Sequence, residues 1–152
     1  RDLCVWHFNN ANLALRFERR ITQSRSQAMQ IVPAWYDAKH LSGANSLENL
    51  NARGFSFPAN GEGMVFSTGN LKIEELEESS TALSSAQGFI LSQLAVGNAF
   101  VVDDPSEIQN EIPEGYDSLY LALSQGTNNV GVGQSADYRH DYSVIDSSQV
   151  LP

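Results

Sequence analysis

From residue 13 onward apolar side chains recur at four-residue spacing, Leu13, Phe17 and Ile21, with Arg16, Glu18, Arg19 and Arg20 between them. That spacing predicts an amphipathic helix, and Asn9 or Asn10 supplies its N-cap. Residues 30–36, QIVPAWY, read as a short buried strand in which Pro33 favours an edge or bulge position. A second helix is written in residues 42–55, with Ser42 as cap, Leu47 and Leu50 on one apolar face, and Gly54 at the left-handed terminating position. The loop SFPANGEG follows.

The middle of the chain alternates between the two periods. GMVFS is a strand, residues 70–80 (NLKIEELEESS) a short acidic helix, and residues 87–102 one longer strand bent or bulged at Gly97-Asn98. Residues 103–118 are rich in Pro, Asp and Gly and read as a loop. SLYLAL and DYSVID are two further strands, separated by the glycine-rich residues 124–138. There is no internal repeat. Helices in the first half and strands in the second predict an α+β domain rather than regular βαβ winding.

Composition narrows the function classes. At 152 residues and 16.7 kDa the chain suits one domain spanning 1–152, and its start without methionine points to a fragment of a longer protein. A formal net charge of −9 repels phosphate backbones and argues against direct nucleic-acid binding. No apolar run reaches the roughly 20 residues of a membrane span, and the N-terminus lacks the plan of a signal peptide. Cys4 stands alone, which excludes an internal disulfide and fits a reducing intracellular compartment; it reads as a small buried apolar residue.

Candidate chemistry is sparse. His7, His40 and His140 lack the spacing of a helix-borne metal site, so no metal is expected. Glu74, Glu75, Glu77 and Glu78 read as a solvated face, and the glycines of GEGMVF as turn chemistry, since no helix or lysine follows to cradle phosphate. Asp137, Asp141 and Asp146 offer a candidate catalytic carboxylate, since Asp141 opens a strand directly after a loop, but spacing alone does not select one of the three. Trp35, Phe55, Phe66 and Phe89 read as buried core.

Three segments taken in order carry a resemblance. VPAWYDA, GEGMVFS and YRHDYSVIDSSQVLP follow the order and approximate spacing of the three signature strands of the poly(ADP-ribose) polymerase (PARP) catalytic domain. In active members those strands carry Trp-His-Gly, Gly-x-Gly-x-Tyr-Phe, and an Asn-Glu-Tyr-x-Val-Tyr-Asp run leading to Gln-Val. RFERRITQSR, PAWYDAK and LENLNARGF make the chain most similar to the plant SRO, or radical-induced-cell-death, group, and the likeness runs from about Ala11 to Pro152.

The resemblance implies an ADP-ribosyltransferase-like fold of two packed, mostly antiparallel sheets, with helices concentrated in the N-terminal half. It also implies a degenerate site. Tyr36 stands at the ribose-binding histidine and Asp37 at the glycine that lets nicotinamide approach the backbone. Val65 stands at the tyrosine of the second strand, Ile73 at the carboxamide-binding serine, Leu76 at the ring-stacking tyrosine, and Asp141 at the catalytic glutamate. The functional expectation is a pseudo-enzyme with no bound cofactor, acting as a protein-interaction module of nuclear stress signalling, whose transcription-factor contacts lie outside this fragment. The alternative is an NAD-dependent mono-ADP-ribosyltransferase using Tyr36, Val65 and Asp141, with His40 or Tyr142 as substitutes should the local alignment shift. A third class is a binding module for another nucleotide or for ADP-ribose itself.

Overall fold

The four-residue apolar spacing near the N-terminus closes into helix α1 (Ala11–Gln23), which buries Leu13 and Phe17. Asn10 is its cap: the side-chain oxygen accepts from the backbone N–H of Asn12 at 3.0 Å and of Leu13 at 3.3 Å. The computed structural model describes residues 5, 7–23, 29–41, 45–69, 88–124 and 138–152. Helix α2 (Leu47–Arg53) is capped by Ser46, whose side chain accepts from the first-turn amide of Asn49. Ser42 lies outside the described residues, as does the whole acidic helix expected over 70–80. Gly54 ends α2 with φ of 76°, and any Cβ there would press on Arg16 and Leu13 of α1.

Among the described residues seven strands form one mixed sheet: β1 (Ile31–Asp37), β2 (Met64–Thr68), β3 (Phe89–Ala95), β4 (Ala99–Val102), β5 (Ser118–Ser124), β6 (Tyr138–Val144) and β7 (Val150–Leu151). Their order is β4-β5-β6-β2-β1-β3-β7, with β4 parallel to β5 and every other neighbour antiparallel. The expected pair of packed sheets is therefore a single sheet. Its two halves, β4-β5-β6-β2 and β1-β3-β7, join where Trp35 of β1 stands opposite Ser67 of β2. Pro33 lies beyond that join, where among the described residues β1 pairs with β3 alone, an edge-like setting that suits a residue without an N–H.

The long strand expected over 87–102 is two strands on opposite flanks of the sheet. Gly97 breaks it with φ of 56°, and a Cβ there would collide with the Asp117 carboxylate. That carboxylate accepts the Asn98 amide at 2.9 Å, and the Asp117 amide donates back to the Asn98 carbonyl at 2.8 Å. Both described α-helices fall in the first 53 residues, yet 3₁₀ helices at Pro105–Gln109 and Ser147–Gln149 carry helical turns into the second half, so helix is not confined to the N-terminal part. The first of these lies inside the expected loop, set by a reciprocal cap between Asp104 and Glu107.

Strand alternation divides the core in two. On one face, Ala34, Phe66, Ile90, Leu94, Val144 and Val150 pack under Leu50 and Phe55. On the other, Val102, Ile108, Leu119 and Leu121 form a smaller cluster. Gln149, fully buried, ties the C-terminal segment in: its amide nitrogen donates to the carbonyls of Ala95 and Asp117, and its oxygen accepts from the amides of Ile145 and Asp146.

Candidate functional site

The join between β1 and β2 brings together the most chemically differentiated side chains. Successive residues of a strand face opposite sides, and residues paired across strands share a side. Pairing of Trp35 with Ser67, and of Ser67 with Asp141 of β6, therefore sets an indole, a hydroxyl and a carboxylate in one row. The Ser67 hydroxyl donates to Asp141 Oδ1 at 2.6 Å, and Asp141 is only 8% exposed. The Trp35 indole N–H points at the Gly69 carbonyl, 3.4 Å away, and its ring meets Phe89 edge-on with centroids 4.9 Å apart.

A cavity of about 500 Å³ opens over this row, within the usual range for small-molecule pockets. Trp35, Tyr36, Asp37, Val65, Ser67 and Phe89 are among the residues that line it, with Lys39 and His40. Asp141 sits behind Ser67 rather than in the cavity wall.

The residues that the resemblance assigns to nicotinamide and ribose part company here. Tyr36 borders the cavity as well, but half-buried it packs its ring against the larger core, with centroids 5.3 Å from Phe66 and 5.6 Å from Phe55. Burial, and secondarily the adjacent Asp37 charge, push its hydroxyl above the ordinary phenol range, so it stays neutral. The Asp37 carboxylate is engaged locally: it accepts the Lys39 amide at 2.9 Å and pairs with the Lys39 ammonium at 2.8 Å, capping the 3₁₀ turn Ala38–His40. Val65 reaches the cavity but also packs against the smaller core cluster. Ile73 and Leu76 lie outside the described residues.

Of the two substitutes, His40 lines the cavity at 6.3 Å from the Tyr36 ring, whereas Tyr142 stands on the opposite face against Tyr120. Asp146 is structural. Partial burial pushes its carboxyl up, but bonds from the Ser148 amide and hydroxyl, with Arg20 and Arg16 nearby, outweigh that and hold it below the usual carboxylate range. Asp137, Cys4 and Glu74 to Glu78 lie outside the described residues, and among the described residues no group of three potential metal ligands forms. The second glycine of GEGMVF, Gly63, serves close packing, since a Cβ there would collide with the Ser143 hydroxyl.

Sequence reasoning passed over Ser67 and gave Trp35 and Phe89 to the core. Trp35 is buried yet also walls the cavity, while Phe89 is half-buried at its edge. The chain matches no protein-family model and no curated protein. Among the described residues no helix is long and apolar enough to cross a membrane.

Proposed function

We propose that this domain is a PARP-like domain of the plant SRO type whose nucleotide site has been given over to packing, and that it acts as an intracellular, nuclear protein-interaction and regulatory module in stress signalling. The observation that carries the proposal is the orientation of Tyr36. The position that resemblance assigns to ribose recognition holds a neutral ring that, although it borders the cavity, is packed against Phe55 and Phe66. Two further features support it: Val65 has no hydrogen-bonding group for a ligand, and the Asp37 carboxylate fills the space where the resemblance calls for bare backbone. Each polar partner a bound ligand loses costs about 1–3 kcal/mol, so these losses together remove micromolar NAD affinity.

The reading in which Tyr36, Val65 and Asp141 transfer ADP-ribose has one observation in its favour. Asp141 keeps a carboxylate beside a cavity of suitable size. Thermal unfolding of the domain with and without millimolar NAD separates the two, since any native-state ligand raises the midpoint. An unchanged midpoint and no transfer of labelled ADP-ribose are expected. A rise of several degrees that disappears in Asp141→Ala would overturn the proposal in favour of the enzyme.

A further inference from the structure

Strand β4 is one end of the sheet, bonded to β5 on one side, and among the described residues nothing pairs with its other side. Alternate residues of an edge strand direct both N–H and C=O outward, a template for another strand. Natural edges are commonly blunted with proline, lysine, a bulge or a covering element. The sequence of β4, Ala-Phe-Val-Val, contains no proline or charged residue, and only its shortness limits pairing. Its side chains invite contact on both faces. Val101, opposite Tyr120 in register, is 59% exposed, and Phe100 is 37% exposed on the other face, where the Tyr116 ring meets it edge-on at 5.0 Å.

Charge selects the occupant. From Ala99 to Asp117 the chain carries six acids and no lysine or arginine. Asp103 and Asp104 directly follow β4. Glu114 adjoins Gly115, whose carbonyl accepts from the Asn98 side chain at the start of the strand. Asp104 is held ionised, because the Ser106 amide and hydroxyl bond its carboxylate and lower its pKa. A second copy of this chain would bring the same acids to the same edge and be repelled, whereas a basic strand finds counter-charges at both ends.

We propose that β4 is the docking edge for an extended, basic segment of a partner protein. The segment adds one strand by backbone pairing, sets apolar side chains against Val101 and Phe100, and places lysine or arginine against Asp103, Asp104 and Glu114. This rests on the interaction-module half of the preceding reading and stands whether or not NAD binds.

The test is fluorescence anisotropy of a labelled peptide of about eight residues alternating lysine and valine, titrated with the whole domain. Saturable binding is expected, weakening as salt rises. Val101→Lys should reduce affinity about tenfold and Asp103→Lys or Glu114→Lys about threefold each, with the fold of each variant checked by circular dichroism. The same peptide N-methylated at alternate nitrogens keeps its charge but loses backbone donors, and should not bind. Equal binding by the methylated peptide would reduce the effect to charge adsorption and overturn the proposal. Absence of binding at millimolar domain would do the same, as would a Val101-dependent dimer in sedimentation, which would assign the edge to a second copy. The NAD titration is unaffected by any of these results, so failure of the edge and failure of the degenerate-site reading are told apart.

Discussion

The two faces of β1 and β2 are made from alternate residues of the same short segments, yet they have different properties. One face presents Ala34, Tyr36 and Phe66, packed with Phe55 and Leu50, and the Tyr36 phenol there stays neutral. The other presents Trp35, Ser67 and, from the neighbouring β6, Asp141, beneath a cavity of about 500 Å³. The comparison shows how strand alternation gives neighbouring residues different surroundings. Tyr36 packs against Phe55 and Phe66 while it also borders the cavity, whereas Trp35 and Ser67 belong to the cavity face.

The sharpest way to break that contrast is Phe66→Ala, which empties the centre of the packed face where Tyr36 and Phe55 meet. A loss of about 3–5 kcal/mol in urea unfolding is expected. A loss under about 1 kcal/mol would mean that this face is not the core. Tyr36→Ala should cost about 2–4 kcal/mol by the same measurement, because it deletes the ring contacts with Phe55 and Phe66. On the cavity face, Ser67→Ala removes one bond to a buried carboxylate and should cost about 1–2 kcal/mol, a smaller effect than at either aromatic. If Ser67→Ala proved as damaging as Phe66→Ala, the division into packing and site faces would fail.

Smaller effects test the margin of the fold. Asp146→Ala removes the cap of the 3₁₀ turn Ser147–Gln149 and should cost about 1 kcal/mol at neutral pH. Because the folded carboxyl titrates below its unfolded value, its contribution is present above the unfolded pKa and is lost as pH falls through the folded one. The gap between wild type and variant should therefore close on acidification, and a gap that stays constant down to strongly acid pH would refute the linkage. Smallest of all is Tyr36→Phe, which keeps the ring and should shift stability by no more than about 0.5 kcal/mol, with an unchanged response to NAD. A new or lost NAD response in that variant would show that the hydroxyl, not the ring, is the working part of residue 36.

Sequence by itself determined the pieces whose causes are local. Helix α1 and its Asn10 cap, the left-handed stop at Gly54, and strands β1, β2, β5 and β6 follow from periodicity and from turn residues that act within a few positions of themselves. The α+β class follows from the order of those pieces. Local reasoning erred where a distant partner decides the outcome. Asp117, nineteen residues from Asn98, holds the turn that splits residues 87–102 into two strands on opposite flanks. The Asp104–Glu107 cap that gives helical form to an expected loop is, by contrast, a local signal that the reading passed over.

The candidate site was half legible. The sequence offers Asp141 as one of three carboxylates and sets it at a strand start, whereas it lies in the middle of β6; nothing in the chain told that Ser67 would hold it or that Trp35 would share its side. A strand's own pattern says only that neighbours face opposite ways; which side is filled, and with whom, depends on the register between segments far apart in sequence. Register between β1, β2 and β6 therefore decided that Trp35, Ser67 and Asp141 share one side of the sheet and that the Tyr36 ring packs against the core on the other. The same non-local pairing made one joined sheet of the two expected and left β4 at its edge.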